Sequence, residues 1–311
     1  FILYNSGDVY VWGCGTPADQ AVYGVNSAAP VFYYPRSKAV GNKRFTYAAM
    51  GNPGNLAGTP QSLSMCALDQ QGFAWAWGYN GFGQLGDSTA SNRSSPTSVV
   101  GGKKWRSIYH TSATTFAIEA STGNAYAWGY SGTWGYLGDN SISDKSSPTS
   151  VVGGRSFTQL AAAAGSLPWS VCALEGSTGN AYCWGNNPNG ALGNNSITSS
   201  SSPVSVVGGR SFVDVFSTRQ VQHFAAIEGS TGNAYCWGFN TNGQLGDNTI
   251  ANQSSPVSVV GGRSWKQLAV TGNSRRNVYG TAGIEGATGN LYAWGQATLS
   301  GDGSLIARSS P

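Results

Sequence analysis

Short runs in which apolar and polar side chains alternate recur along the whole chain, always in the same order. One period reads PVSVV, then a GGR turn, then SFTQLAAA, a variable stretch, VCALE, a GSTG turn and NAYCWG. Each run is four to eight residues long, rich in β-branched and aromatic side chains, and bounded by glycine-rich turns, so each predicts a strand. We label them a, b, c and d. The glycines supply the positive φ angles that hairpin turns need. Strand d carries the clearest signal: an aromatic pair two residues apart, at Tyr10/Trp12, Trp75/Trp77, Tyr126/Trp128, Tyr182/Trp184, Tyr235/Trp237 and Tyr292/Trp294. Residues two apart share a face. The residue between them is Val11, Ala76, Ala127, Cys183, Cys236 or Ala293. A sheet with one bulky and one small face predicts bulky-on-small packing between successive sheets.

The Trp-Gly pairs lie 51 to 65 residues apart, followed by serine-rich stretches ending at Pro96, Pro148, Pro203, Pro256 and Pro311, with Pro35 a degenerate equivalent. VVGG follows at 99–102, 151–154, 206–209 and 259–262. Several short strands in a period of that length predict an all-β protein, a β-propeller of four-stranded antiparallel blades. Taking each blade in the order a, b, c, d gives five complete blades, at about residues 31–78, 96–129, 148–185, 203–238 and 256–295. Strands c and d of a sixth lie at 1–13, and the start of its strand a at 311. On that bookkeeping 1–311 is a single propeller domain with six or seven blades when complete, and closure of the ring is expected to draw on residues beyond Pro311.

Composition narrows the function. Charged residues are only 10% of the chain and the net charge is +4, spread without a basic run, so nucleic acid is not an expected partner. Lys103, Lys104 and Arg106 form the one small cluster. No segment reaches the ~20 apolar residues of a membrane span. Five cysteines without CxxC spacing predict neither a zinc site nor a disulfide framework.

Candidate chemistry is sparse, and no catalytic residue, metal site or cofactor is expected. Gly81–Gly86 matches GxGxxG, but in a d–a loop and not between a parallel strand and a helix. The two histidines, His110 and His223, fall in variable b–c stretches and read as solvated loop residues. Asp87, Asp139, Asn194 and Asp247 read as Asx turns, because each copy offers too few oxygens for calcium. Glu119, Glu175, Glu228 and Glu285, with Asp69, end strand c; Lys104, Arg155, Arg210 and Arg263 begin strand b. Cross-strand ion pairs such as Arg155–Glu175 and Arg210–Glu228 are expected, each worth only ~0.2–1 kcal/mol. Cys66, Cys172, Cys183 and Cys236 read as small buried filler, although Cys172 and Cys183 face each other across a hairpin, where a disulfide is the alternative.

The succession of WG, GQLGD (83–87 and 243–247), SSP and VVGG resembles the regulator of chromosome condensation repeat family, closest in style to its bacterial and phage members. That resemblance implies a β-propeller. The family's strand-c histidine is missing, with Met65-Cys66-Ala67-Leu68 and Val171-Cys172-Ala173-Leu174 in its place, which weakens the implied guanine-nucleotide exchange on a small GTPase. Because repetition explains sameness, information specific to this protein is concentrated in the variable b–c and d–a loops. Trp134, Trp169, Arg219, His223, Arg275, Arg276 and Tyr279 are there, of residue types enriched in binding hot spots. The expected function is a non-enzymatic scaffold that contacts other proteins, possible virion components among them, at a virion or extracellular surface, with no membrane insertion. Carbohydrate binding to surface glycans is the alternative.

Overall fold

The computed structural model describes residues 2–3, 5–13, 34–38, 43–51, 63–111, 113–163, 170–217, 223–273, 278–296 and 308–311. They contain only strands, turns and loops, so among the described residues no helix is long and apolar enough to cross a membrane. Two compact units emerge, Phe1–Thr133 with Asp139–Gly154, and Trp134–Gly138 with Arg155–Pro311.

In the first unit one sheet is β1 (Ile2–Leu3), β2 (Val9–Gly13) and β3 (Tyr34–Lys38). A second is β4 (Phe45–Met50), β5 (Ser64–Asp69), β6 (Ala74–Gly78) and β7 (Arg93–Ser98). A third is β8 (Trp105–His110), β9 (Thr114–Glu119), β10 (Ala125–Gly129) and β11 (Lys145–Ser150). The second unit holds β12 (Phe157–Ala163), β13 (Ser170–Glu175), β14 (Ala181–Gly185) and β15 (Ser200–Ser205), then β16 (Phe212–Phe216), β17 (His223–Glu228), β18 (Ala234–Gly238) and β19 (Gln253–Ser258). Its last sheet is β20 (Trp265–Asn273), β21 (Val278–Glu285) and β22 (Leu291–Gly295), with Arg308 bridging to Gly295 where a fourth strand begins. All pairings are antiparallel.

The strands are those the pattern predicts, but the grouping into blades differs. Strand a pairs with the preceding strand d and not with the following strand b, so a sheet runs b–c–d–a. Each a strand continues past a register shift at the Trp-Gly position, as in Tyr126↔Ser150, Ala127↔Thr149 and Gly129↔Lys145. VVGG then leaves the sheet. Val99 N–H bonds Ala74 O and Val100 N–H bonds Gly86 O, and the next strand b starts by bonding the preceding c–d turn, Trp105 N–H to Gly72 O at 2.8 Å. Phe45 to Gly7, Phe212 to Gly179 and Trp265 to Gly232 repeat that stitch. The Gly-Gly pair therefore links sheets where a hairpin was predicted. By the same rule the first sheet holds strands c, d and a.

Between sheets the expected packing holds. The small face of the second sheet, Cys66, Leu68, Ala74 and Ala76, meets Trp105, Ile108 and Trp128 of the third. Cys172, Ala181 and Cys183 meet Phe212, Phe224 and Trp237, and Ala225, Ala234 and Cys236 meet Trp265, Leu268 and Trp294. Burying side chains of this size contributes roughly 1.5–3 kcal/mol each, well above any exposed ion pair. Cys172 and Cys183, directly opposite in the register, are joined by a disulfide, so they are not mere filler. Their counterparts Cys66 and Cys236 face Ala76 and Ala225 and remain free, buried thiols.

Four of the strand-d tryptophans are also keyed by a hydrogen bond. Trp128 Nε1–H donates to Gln84 O at 3.0 Å, Trp184 to Tyr136 O at 2.8 Å, Trp237 to Ala191 O at 3.0 Å and Trp294 to Gln244 O at 3.0 Å. The acceptor precedes the Leu-Gly pair of the d–a loop one copy earlier. Its glycine lies flat against the indole: a Cβ on Gly86, Gly138, Gly193 or Gly246 would sit 2.6–2.9 Å from the tryptophan Nε1. The leucines, Leu85, Leu137, Leu192 and Leu245, are fully buried. Trp77 Nε1 has no partner among the described residues, and the equivalent acceptor falls in residues 14–33, outside them.

Both histidines depart from expectation, being buried and not solvated. His110 Nε2 lies 2.7 Å from Ser64 Oγ and its Nδ1 2.7 Å from Thr115 Oγ1, whose own proton goes to Gln84 O. Thr115 therefore accepts from Nδ1–H, and Nε2 accepts from Ser64. His223 opens β17 with no exposed surface. Thr281 Oγ1 gives its proton to Gln244 O, so His223 Nε2–H is the donor in their 3.1 Å contact. Nδ1, which carries no proton in this tautomer, has no partner among the described residues. Burial penalises the charged ring and pushes the imidazole down to about 3.

Two outcomes follow from this packing. Gly262 and Gly246 both have positive φ, 60° and 71°, but a Cβ on Gly262 meets nothing within 4 Å. Gly262→Ala should cost about 1–2 kcal/mol for the left-handed backbone alone, and Gly246→Ala distinctly more because its Cβ strikes the Trp294 indole. Equal shifts in melting temperature would refute the indole key. For His223, the unfolded chain takes up a proton near pH 6.5 and the folded chain only near 3. Stability is therefore unaffected above pH 7 and falls by up to about 1.4 kcal/mol per unit as pH drops below 6.5. Urea titrations between pH 7.5 and 5 should show that slope, reduced in His223→Ser, which installs the residue found at Ser64 and Ser170.

Candidate functional site

In an antiparallel b–c–d–a sheet the b–c and d–a connections leave from one end and the c–d turn from the other, so each sheet has a loop end and a turn end. At the loop end the d–a loops are built around a buried asparagine. Asn80 Nδ2 donates to Asp87 Oδ1 (3.1 Å), Thr89 O (3.0 Å) and Ser91 O (3.1 Å), and its Oδ1 accepts Leu85 N–H at 2.9 Å. Asn187 and Asn240 repeat these bonds. Asp87, Asp139 and Asp247 each accept the N–H two residues on, closing the expected Asx turns. Burial opposes ionisation of Asp87, but hydrogen bonds from Thr89 and Arg93 outweigh it and hold this carboxyl below its ordinary value. The Gly81–Gly86 loop is consumed by packing, with Gly83 against Ser146 and Gly86 against Trp128.

These rigid loops hold solvent-facing side chains at fixed positions. Trp134 is 37% exposed and leans on the buried Tyr136, ring centroids 6.3 Å apart. Tyr279 packs edge-on against Phe239 at 5.4 Å, and burial raises its phenol. Tyr79, Phe82 and Tyr130 form a further partly exposed cluster, with successive centroids at 6.2 and 5.0 Å. Trp134 and Tyr279 thus lie at loop ends as expected, whereas the burial of His223 removes it from any surface. Trp169, Arg219, Arg275 and Arg276 lie outside the described residues. The sequence reading missed Ile142, Ile197 and Ile250, exposed by 64, 68 and 67% at equivalent points of three d–a loops. Their signal was legible as the one large apolar residue in NSIS, NSIT and NTIA.

The turn ends carry the predicted ion pairs. Arg155–Glu175, Arg210–Glu228 and Arg263–Glu285 approach to 3.8, 3.2 and 3.7 Å. In the third sheet the partner of Glu119 is Lys103, at 2.7 Å, and not Lys104: VVGG places the paired cation immediately after the second glycine. The hydrogen bond from Lys103 holds Glu119 below its ordinary value, and the same bond raises Lys103. Each cation also lies over the strand-d aromatic, with Lys103 4.6 Å from Tyr126 and Arg155, Arg210 and Arg263 4.1, 3.9 and 4.3 Å from Tyr182, Tyr235 and Tyr292.

The repeat has recognisable relatives. The Regulator of chromosome condensation (RCC1) repeat matches residues 71–118, 178–221 and 231–274. The ultraviolet-B receptor UVR8 of Arabidopsis thaliana is 28% identical over 217 residues, 68% of this chain and 48% of the receptor. The probable E3 ubiquitin-protein ligase HERC4 of Homo sapiens is 28% identical over 200 residues, 63% of this chain and 18% of the ligase. Among solved structures, human WBSCR16 gives a TM-score of 0.62 at 18% identity, covering 83% of this chain and 64% of that one. Yeast RCC1 (Prp20), solved with Kap60 bound to it, gives 0.62 at 19% identity, covering 93% and 64%. Likeness at such identity speaks to the fold alone, and the chain spans less than two thirds of the length of each of these proteins. With three matched repeats and the same strand order recurring along the described chain, it carries Regulator of chromosome condensation (RCC1) repeats in a β-propeller fold.

Proposed function

We propose that the protein is a non-enzymatic propeller scaffold that binds other proteins through the loop ends of its sheets, as a virion structural or appendage component or another extracellular surface protein. The observation that carries this reading is the contrast at those ends. Asparagine hubs at Asn80, Asn187 and Asn240 and Asx turns at Asp87, Asp139 and Asp247 fix the d–a loops, while side chains at the loop ends, Trp134, Ile142, Ile197, Ile250 and Tyr279, are apolar or aromatic and partly to largely exposed. Preorganised loops bearing apolar anchors bind at low entropic cost. The buried Cys172–Cys183 disulfide suits an oxidising compartment, and 10% charge suits a surface crowded with other proteins. A protein partner on this fold has a precedent in yeast RCC1 with Kap60.

The test is site-specific photo-cross-linking in the native source. Cross-linkers at positions 134 and 250 should capture proteins, and one at Gly209, on the turn end, should not. A glycan-array signal abolished by Trp134→Ala would instead support a carbohydrate-binding module. Nucleotide release from a small GTPase by catalytic amounts of the protein would replace the scaffold with an exchange factor.

A further inference from the structure

At the turn ends the second and third sheets break the ion-pair pattern. In the sister copies the residue after the paired cation is Ser156, Ser211 or Ser264; here it is Arg44 and Lys104, both exposed. Arg106, the bulge residue of β8, is exposed where Thr158 and Val213 stand elsewhere. Lys43 holds the ladder position, but its expected partner Asp69 is only 4% exposed and otherwise engaged. Asp69 accepts the N–H groups of Gln71 (3.0 Å) and Phe73 (2.9 Å) and the Trp75 indole N–H (2.9 Å). Among the described residues no carboxylate pairs with Lys43, Arg44 or Lys104.

These cations converge on one strip. Lys43 Nζ lies 4.4 Å above the Trp75 ring and Lys104 Nζ 5.7 Å from the Phe73 ring. Phe73 and Trp75 are two residues apart, on one face, about 7 Å along the chain. Arg44 hydrogen-bonds Ser6 O in the neighbouring turn, beside Asp8, which takes the Ser6 hydroxyl. Lys43, Arg44, Lys103, Lys104 and Arg106 make five of the 17 Lys and Arg residues, in two short segments, against a paired Glu119, a buried Asp69 and the half-buried Asp8. The sister serines show that the sheet forms without Arg44 and Lys104, so these charges are surplus to the fold.

We propose that this strip binds an acidic segment of a partner protein, its carboxylates pairing with Lys43, Arg44 and Lys104. Complementary charge of this kind steers encounter and fixes register. An acidic peptide suits the strip better than nucleic acid, because its two rings already lie under lysines and are not free to stack on bases. The site is at the opposite end of the sheets from the loops and stands or falls independently of them.

The probe is a fluorescein-labelled decapeptide of alternating Glu and Gly, titrated by polarisation at low salt. Arg44→Ser with Lys104→Ser, which restores the sister residues, should weaken binding about tenfold or more and leave the melting temperature unchanged. Arg44→Lys with Lys104→Arg should retain binding, and Lys266→Thr, at another turn end, should have no effect. No peptide binding, equal loss in Lys266→Thr, or tighter binding of a single-stranded oligonucleotide of equal charge would each overturn the proposal.

Discussion

The indole of the strand-d tryptophan is the constraint on which the sheets depend. It fills the space between one sheet and the loop of the copy before it, and its N–H requires an acceptor there. That acceptor is the backbone carbonyl before Leu-Gly, so any side chain can occupy its position: Gln84, Tyr136, Ala191 and Gln244 do. The next two positions have no such freedom. Leucine is buried beneath the loop, and only glycine lets the chain lie flat on the ring at positive φ. One hydrogen bond and one missing Cβ thus fix how each of these loops lies on the indole of the following copy.

The same loop serves two neighbours. Its buried half locks the following sheet through the indole, and its asparagine hub ties the outer half to strand a. A protein built this way can vary the loop's exposed residues without disturbing packing, because the bonds from Asn80, Asp87 and their equivalents do not involve those side chains. The buried polar groups show how far that tolerance extends inward. Where Thr115 and Thr281 add a second donor to the Gln84 and Gln244 carbonyls, a histidine follows in the network. Where Val171 and Phe224 occupy that position, the tryptophan bond stands alone and the site is apolar.

Strand identity, the bulky and small faces, the Asx turns and the ion pairs were legible in the sequence because each depends on periodicity or on residues a fixed distance apart. The grouping of strands into sheets was not. GGR between two β runs reads as a hairpin, and positive φ at both glycines would fit one. What decides otherwise is the long-range stitch from strand b to the preceding c–d turn, which no local pattern announces. The histidines were misread for a related reason. His110 and His223 sit where copies differ, and difference was taken for exposure, whereas the hydroxyls that meet their Nε2 atoms, Ser64 and Thr281, come from distant positions in the chain. The exposed isoleucines were overlooked because a single apolar residue in a polar loop carries no periodicity.

These errors refine where difference between copies carries meaning. A departure from the repeat is informative about binding only if the sister residue would also satisfy the fold. His223 fails that test, since its ring fills a closed interior beside Thr281. Arg44 and Lys104 pass it, because serine at the same point supports the same sheet in three other copies. Asp69 shows the complementary case: by turning inward to the Trp75 indole it leaves Lys43 without its ladder partner, so a change made inside the sheet alters the charge outside it. The repeat thereby acts as an internal control, separating residues the blade requires from residues it merely carries.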